Sequence, residues 1–328
     1  MHAVKWLPAA CLLAGAVDLT CAAENLPQAG NFPDRPIRLI VPVTVGGSTD
    51  IVARIIAVSL ARELNQQFVI DNRSGAGGII GTDLVAKATP DGYTLLFAYA
   101  SHTITPHLGG TIPYDPAGDF AAVSEVTTQP LLLTVNTALP VSSVKELIAL
   151  AKSKPGQLRA AAPGLGGTGH IAAEIFRMEA NVDLPTVIYK GGGPAQLAVM
   201  QGEVHLVFAT SASAMPQIKS GRVKILAVSS AKRVSYLPDV PTFAEAGLPA
   251  VDVSPWQGIL APAKTPRATI DKLYRAVLAV LKQPDMVERL RSTGSDPVGS
   301  TPAALDKKIR KELDYFGRVI KAAKIKVE

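Results

Sequence analysis

Short apolar runs rich in β-branched residues alternate with amphipathic runs along most of the chain. The apolar runs predict strands at residues 37–41, 68–71, 94–98, 131–135, 158–162, 186–189, 205–209 and 224–228. Between them, apolar residues recur at positions i, i+3, i+4 and i+7, which is the spacing of one helix face. Strands that alternate with helices in this way predict an α/β fold.

Three of the predicted helices have recognisable ends. Ser143 is a predicted cap for a helix that closes before Pro155, because a serine oxygen can accept from the first free N–H groups. Thr265 is predicted to cap a second helix, with Pro266 at its first position. A third amphipathic run predicts a helix over residues 302–323.

Two stretches are predicted to cross between lobes of the molecule. One covers residues 123–136 and has Gln129-Pro130 in its middle, and the other covers residues 250–262. The chain would build part of a first lobe over residues 24–129, a second lobe over residues 130–250, and return over residues 251–328. Two lobes joined by a hinge enclose a cleft, where ligands commonly bind.

The first 23 residues are typical of a secretory signal peptide. A short basic start precedes 12 apolar residues, 6–17, and small residues place the predicted cleavage after Ala23. A membrane span is the alternative, but it needs roughly 20 apolar residues. A lipid anchor at Cys21 is a second alternative, with a poor lead-in sequence. We therefore expect a periplasmic protein.

Composition narrows the class of ligand. Cleavage would remove both cysteines and leave about 305 residues (328 − 23), enough for roughly two domains held by core burial. The formal net charge of +6 is compatible with an anionic ligand. Basic clusters interleaved with aromatic residues are missing from the sequence, so nucleic acid is not an expected partner. Aromatic residues make up only 5%, which argues against a sugar-stacking site.

Two glycine-rich turns each precede a helix, one in each half of the chain. The first is Val45-Gly46-Gly47-Ser48-Thr49-Asp50, and the second runs from Gly164 to His170. Free backbone N–H groups and a positive helix end make an anion site, so two facing turns could hold a small carboxylate. The alternative is that both are structural turns whose hydroxyl groups cap the helices. Asp50 is expected to orient the first turn.

The second turn also matches a dinucleotide-binding pattern. Gly164, Gly166 and Gly169 have the G-x-G-x-x-G spacing. That site requires an acidic residue at the end of the next strand to hold the ribose, whereas this strand ends at Lys190. No turn has the Gly-Lys-Ser/Thr ending of a P-loop. We expect no cofactor.

Catalytic and metal-binding patterns are weak. His102 and His107 lie five residues apart without a nearby carboxylate or cysteine, which does not favour a metal site. Ser101 has no histidine and aspartate partners that the sequence reveals. His170 opens a predicted helix, where a structural or N–H-donating role is expected. An enzyme that uses Lys190 or a histidine stays open as an alternative, but the prediction is a binding protein without catalytic residues.

Several short motifs, taken in order, resemble one known family over the chain from about Pro33 onward. They are Arg35-Pro36-Ile37-Arg38, Gly46-Gly47-Ser48-Thr49-Asp50-Ile51-Val52-Ala53-Arg54, Asp71-Asn72-Arg73-Ser74-Gly75-Ala76-Gly77-Gly78, Pro90-Asp91-Gly92-Tyr93-Thr94, Pro113-Tyr114-Asp115-Pro116, Tyr189-Lys190-Gly191 and Leu237-Pro238-Asp239-Val240-Pro241-Thr242. The chain resembles the Bug-type periplasmic solute-binding proteins, which are relatives of the receptor subunit of tripartite tricarboxylate transporters.

The resemblance implies a two-lobed, type II periplasmic-binding-protein fold that closes on a mono-, di- or tricarboxylate in the cleft between lobes. It implies ligand contacts from both lobes, at Val43, Gly47, Ser48, Thr49, Gly77, Ser101, Gly167, Thr168, Gly169 and Ala209. It also implies a monomer that works with the membrane subunits of such a transporter. A sensor that hands its signal to a sensor kinase is the alternative partner arrangement.

Two departures from the family pattern affect the expected ligand. Val43-Thr44-Val45 stands where the family usually has Phe-Pro-Pro, so the first turn is less constrained and lacks an aromatic wall. Ala209 stands where the family often has an acid that could pair with a ligand amine. Its absence favours a plain carboxylate or dicarboxylate over an amino acid.

Overall fold

The computed structural model describes residues 2, 32–234 and 236–326. The predicted signal peptide, residues 1–23, therefore lies outside the described residues except for His2. The strands, in chain order, are β1 (Ile37–Val41), β2 (Phe68–Asn72), β3 (Thr94–Tyr99), β4 (Phe120–Thr128), β5 (Leu131–Asn136), β6 (Ala160–Ala162), β7 (Thr186–Ile188), β8 (Leu206–Thr210), β9 (Val223–Val228), β10 (Trp256–Pro262) and β11 (Asp296–Pro297).

Helices connect these strands and cover the sheets. In chain order they are α1 (Ser48–Leu64), α2 (Ile79–Ala86), α3 (Ser101–Ile104), α4 (Val144–Ser153), α5 (Thr168–Glu179), α6 (Gly192–Gln201), α7 (Ser211–Lys219), α8 (Arg267–Leu281), α9 (Pro284–Ser292) and α10 (Pro302–Ala323). Short 3-10 turns lie at Ala76–Gly78 and Thr105–His107. Among the described residues, no helix is long and apolar enough to span a bilayer.

The strands form two sheets, so the predicted α/β class is confirmed. The first sheet has the order β11-β4-β10-β3-β1-β2, and the second has the order β7-β6-β8-β5-β9. The strands β1, β2 and β3 are parallel, as are β6, β7 and β8, whereas β10 and β5 run antiparallel to their neighbours. Carboxyl ends of parallel strands lie at one edge of a sheet, and this edge is where ligands bind in α/β proteins.

The chain passes between the sheets at two places. Residues Gln129 and Pro130 join β4 to β5, and residues 229–255 lead from β9 back to β10. Each sheet has its own apolar core, and α10 contributes to both: Leu305 and Ile309 pack beside the first sheet, whereas Phe316 and Ile320 pack in the core of the second. The predicted lobe boundaries, 24–129, 130–250 and 251–328, stay a prediction.

The sequence did not predict strands β4 and β10, which overlap the two predicted crossings. Both strands carry residues that are uncommon in central strands. Ser124 and Thr127 are fully buried in β4, where Thr127 Oγ1 donates to Gln257 Oε1 at 2.7 Å. In β10, a Cβ on Gly258 would lie 2.9 Å from the Ser124 carbonyl oxygen, so only glycine fits there without a shift. Because of these polar residues and this glycine, both segments resemble loops in the sequence.

The predicted helix ends are confirmed in two cases and wrong in one. Ser143 Oγ accepts from Glu146 N at 3.2 Å, and the last helix spans Pro302–Ala323. However, α8 begins at Arg267 with Pro266 in the cap position. Thr265 N donates to the Pro262 carbonyl oxygen at 3.0 Å. That turn leaves the Thr265 hydroxyl one residue too early to cap the helix.

Candidate functional site

A cavity of about 510 Å³ lies between the two sheets, at the edge where several helices begin. Its wall on the side of the first sheet includes Ser48, Thr49, Gly77, Tyr99 and Ser101. The wall on the side of the second sheet includes Gly166, Gly167, Thr168, Gly169, Gly192, Phe208, Thr210 and Ser213, and the crossings add Gln129, Pro255, Trp256 and Gln257. Small-molecule sites usually have volumes of roughly 300–1,000 Å³.

The two glycine-rich turns have nearly the same backbone geometry. Gly46 has φ +87° and Gly166 has φ +70°, a region that favours glycine. The cap residues that follow are extended: Gly47 has φ −72° and ψ 163°, and Gly167 has φ −71° and ψ 164°. Neither helix start receives a side-chain cap from any described residue. The first N–H groups of α1 and α5 therefore have no partner within their helices.

Asp50 holds the first turn, as the sequence predicted. Its Oδ2 accepts from Gly46 N at 2.9 Å and from Arg54 Nε at 3.0 Å, and its Oδ1 accepts from Asn72 Nδ2 at 2.9 Å. Burial alone would raise the pKa of Asp50, but the hydrogen bonds from Arg54, Gly46 and Asn72 outweigh it and lower that pKa. Asp50 therefore stays ionised and keeps both acceptor oxygens turned to the protein rather than to a ligand.

His170 takes the equivalent place in the second turn. Its Nδ1 accepts from Gly166 N at 3.0 Å, so the imidazole carries its proton on Nε2, which lies 4.0 Å from Glu174 Oε1. The sequence predicted a structural or N–H-donating role. The structural role holds, but at the turn the ring accepts a hydrogen bond. Burial lowers the pKa of His170, and the charge of Glu174 opposes that shift.

A third turn, Ala76–Gly78, completes the wall on the side of the first sheet. The Gly77 carbonyl oxygen accepts from Ser101 Oγ at 2.8 Å and from the Tyr99 hydroxyl at 3.3 Å. Ser101 Oγ also lies 2.5 Å from Thr105 Oγ1. Ser101 lines the cavity, and its proton goes to the backbone of the turn, so its hydroxyl fixes the position of Gly77.

The crossing into β10 supplies the remaining wall. Gln257 Nε2 lies 3.5 Å from Thr49 Oγ1, and Trp256 Nε1 donates to Glu312 Oε2 at 2.7 Å. Burial raises the pKa of Glu312, although the nearby Lys308 and the bond to Trp256 oppose that shift. The sequence did not predict Trp256 or Gln257 as site residues. A signal existed, because a segment that crosses between two lobes necessarily borders the cleft.

The structure brings most of the predicted site residues together. Those that line the cavity are Ser48, Thr49, Gly77, Ser101, Gly167, Thr168 and Gly169, and Gly47 adjoins it as the cap of α1. Val43 instead packs against the core of the first sheet. Ala209 packs in an apolar cluster with Val207, because side chains alternate along a strand and its neighbours Phe208 and Thr210 face the cavity. The ligand contacts themselves stay a prediction.

Helix starts, rather than charged side chains, set the electrostatics of the cavity wall. Among the described residues that line it, none has a charged side chain. Helices α1, α5, α6 and α7 each contribute a residue from their first turn, namely Ser48, Thr168, Gly192 and Ser213. Helix N-termini carry partial positive charge, so the wall suits an anion that accepts hydrogen bonds. Over the part of the chain that the structure describes, no cluster of three or more His, Cys, Asp or Glu side chains could hold a metal ion.

Comparison with known families gives a match over most of the chain. The model of the tripartite tricarboxylate transporter family receptor matches residues 52–325. Among curated proteins, BugT of Bordetella pertussis is 36% identical over 303 residues, which cover 92% of this chain and 93% of BugT.

Solved structures of similar proteins include ligand complexes. An adipate complex from R. palustris is 37% identical, with a TM-score of 0.74 over 90% of this chain and 99% of that one. MatC from Rhodopseudomonas palustris, solved with bound malate, is 33% identical, with a TM-score of 0.70 over 88% of this chain and 100% of MatC. The periplasmic binding protein BugD is 33% identical, with a TM-score of 0.71 over 90% of this chain and 100% of BugD.

Proposed function

Because this chain belongs to the tripartite tricarboxylate transporter receptor family, whose fold is that of substrate-binding receptors, we propose that it binds a small carboxylate. It would work in the periplasm after removal of residues 1–23 and deliver the acid to the membrane subunits of a tripartite tricarboxylate-type uptake system. The family and the fold are those of receptors rather than enzymes.

The uncharged cavity between helix starts is the observation that carries the proposal. A cationic amine would need an acidic partner in the wall, and the described lining residues offer none. A carboxylate would instead accept from free N–H groups of α1 and α5. Two or three charge-assisted hydrogen bonds contribute roughly 1.5–3 kcal/mol each. Together with burial of the carbon skeleton, they approach the roughly 8 kcal/mol of a micromolar site, before the cost of association.

The rest of the cavity favours a ligand with an apolar carbon skeleton. Leu108, Leu131, Leu165, Phe208 and Trp256 all line it. Burying a methylene group against such a wall stabilises a complex by about 0.8 kcal/mol. Adipate, the ligand of one similar protein, combines carboxylates with a methylene chain. Plain mono- and dicarboxylates are therefore the proposed ligands, and strongly hydroxylated acids fit less well.

A thermal-shift panel tests the proposal. In a panel of mono-, di- and tricarboxylates, a plain mono- or dicarboxylate should give the largest rise in the melting temperature of the chain without residues 1–23, whereas sugars and cationic amines should leave it unchanged. If no carboxylate in the panel raises the melting temperature, the proposal is refuted. Uptake of the bound acid should also disappear on deletion of the gene and return with the full chain, and unchanged uptake would exclude the transport role.

A matched pair of variants tests the position of the site. Thr168 lines the cavity at the start of α5, whereas Thr137 lies away from the cavity and its hydroxyl bonds to the Arg222 carbonyl oxygen at 3.4 Å. Thr168→Val keeps the shape and removes the hydroxyl, so it should weaken binding by about three- to tenfold if that hydroxyl contacts the ligand. Thr137→Val should bind as the wild type does. Equal affinity in both variants would show that the Thr168 hydroxyl makes no contact.

A further inference from the structure

Each of the two turns is held by a hydrogen bond between equivalent positions, but the accepting groups differ in chemistry. In each turn, the third residue of the helix accepts from the N–H of a glycine four residues earlier. In the first turn, Asp50 Oδ2 accepts from Gly46 N at 2.9 Å. In the second, His170 Nδ1 accepts from Gly166 N at 3.0 Å. Since Gly166 lines the cavity directly, the second acceptor fixes part of the cavity wall.

We propose that Asp50 and His170 are positioning residues that hold the two turns ready for the ligand, and that the second turn alone is released when His170 takes up a proton. The effect on ligand affinity rests on the proposed function, whereas the effect on the turn does not. Neither side chain would touch the ligand.

The proton balance explains why release follows protonation. Neutral His170 carries one proton, on Nε2, and presents the Nδ1 lone pair to the Gly166 N–H group. A second proton can add only at Nδ1, which converts that atom from an acceptor to a donor. Two N–H groups would then face each other at the former hydrogen-bond distance. The contact must break, and the turn before α5 loses the bond that holds it.

The first turn does not respond to acid over the pH range in which His170 takes up a proton. Asp50 is held ionised by Arg54, Asn72 and Gly46, which together lower its pKa. Its carboxylate accepts through two oxygens, so its hold on Gly46 persists at a pH at which an imidazole is charged. Acid therefore affects the two halves of the site unequally.

The charged groups around His170 are few. On its own helix, Glu174 lies beside Nε2, and Glu174 is itself held by Arg177 Nε at 2.8 Å and Thr186 Oγ1 at 3.0 Å. Strands β6 and β8, which pack against α5, carry no titratable side chain. The glutamate favours the charged imidazole, and burial opposes it more strongly, so the pKa of His170 lies below its ordinary value.

Helix α10 also packs against α5, and its charges act elsewhere. Tyr315 interacts with Glu179, which ends α5 about 14 Å along the helix from His170 at 1.5 Å per residue, and Arg318 acts on Tyr315. Asp314 acts on His107. The titration of the second turn is therefore controlled by His170 and Glu174.

His205 provides a matched control. Its Nδ1 accepts from Arg159 N at 3.1 Å, the same type of bond. These two residues precede strands β8 and β6, so they lie at the amino ends of the strands, opposite the cavity. Replacing His205 should test the same chemistry away from the site.

Glycine amide NMR in ¹⁵N-glycine-labelled protein tests the proposal without a ligand. Between pH 8 and 4.5, the Gly166 amide signal should titrate with a midpoint below 6.5, and the Gly46 signal should not follow that titration. His170→Asn places an acceptor oxygen where Nδ1 lies, so its Gly166 signal should stay constant. His205→Asn should retain the wild-type titration. A wild-type Gly166 signal that stays constant, or one that still titrates in His170→Asn, would overturn the proposal.

Adipate affinity measured at pH 7.5 and pH 5 then tests the consequence for binding. Protonation of adipate affects every variant equally, so the ratio between variants is the informative quantity. The wild type should lose about three- to tenfold more affinity than His170→Asn, and His205→Asn should behave as the wild type. An equal loss in His170→Asn would overturn the coupling to the ligand. A titrating Gly166 in a protein that binds no carboxylate would instead exclude the proposed function and leave the turn mechanism intact.

Discussion

Gly169, the second residue of α5, lies against the backbone of β8. A Cβ on Gly169 would lie 2.7 Å from the Phe208 carbonyl oxygen and 2.9 Å from Pro163 Cδ. Ordinary contact begins at 3.4 Å, so Gly169→Ala requires the start of α5 to move by about 0.7 Å (3.4 − 2.7). Overpacking of this kind costs about 1–3 kcal/mol of unfolding free energy.

The same shift should weaken ligand binding. If one charge-assisted hydrogen bond from the start of α5 is lost, about 1.5–3 kcal/mol of binding free energy is lost. This corresponds to at least a roughly tenfold higher Kd. Trp256 lines the cavity, and Trp6, the other of the two tryptophans, lies in the predicted signal peptide. Tryptophan fluorescence of the chain without residues 1–23 therefore reports on the site during both urea unfolding and ligand titration.

Gly47→Ala is the control in the first turn. The nearest atom to its Cβ would be the Thr44 carbonyl oxygen at 3.6 Å, which is ordinary contact, and Gly47 has φ −72°. Alanine gains about 0.4–1 kcal/mol through the unfolded chain, but it is a poorer cap residue than glycine, so the stability of Gly47→Ala should stay within about 1 kcal/mol of the wild type. If Gly169→Ala unfolds at the same urea concentration as the wild type, the close contact between α5 and β8 is wrong. If Gly47→Ala is strongly destabilised, the described turn geometry is wrong.

Three further predictions concern groups around the cavity. Burial of His102 lowers its pKa to about 4, although a hydrogen bond to the Pro116 carbonyl oxygen opposes the shift. Between pH 6.5 and 4 the folded protein therefore binds fewer protons than the unfolded chain. As the pH falls through that window, the free energy of unfolding should decrease by up to about 3 kcal/mol. Urea unfolding at pH 7 and pH 5 should show this slope, and His102→Gln should reduce it; an unchanged slope would refute the assignment to His102. Glu312→Ala should lower the free energy of unfolding by about 1–3 kcal/mol, because Trp256 Nε1 and Thr103 Oγ1 both donate to Glu312. It should also shift the fluorescence emission of Trp256. An unchanged emission would show that Glu312 does not hold the indole. Ser101→Ala should cost about 1 kcal/mol by removing the bond to the Gly77 carbonyl oxygen, as measured by urea unfolding, with unchanged stability as the contrary result.

Much of the fold could be predicted because local sequence and tertiary environment agree. The strand at Ile37–Val41 is buried at every position except the half-buried Arg38, and the last helix buries an apolar stripe that runs from Leu305 to Ile320. The glycine turns were predictable for the same reason, since positive φ angles at Gly46 and Gly166 need glycine. These features depend on nearby residues alone.

The rest depended on contacts that are distant in sequence. Trp256 and Gln257 reach the cavity because β10 lies between β3 and β4, and nothing near them in the sequence indicates that pairing. The alternation of β8 decides that Phe208 and Thr210 face the cavity while Ala209 does not, and the predicted strand ended one residue early. The acceptor role of His170 follows from a backbone turn, so the residue type alone could not reveal it.

The most direct test of the carboxylate site is native mass spectrometry of the protein released from the periplasm, followed by identification of any retained compound. One small carboxylic acid per chain is the expected result for the wild type, and its loss is expected in Gly169→Ala. A chain that retains a sugar or a cationic amine instead, in a cavity whose described lining has no charged side chain, would contradict the carboxylate site.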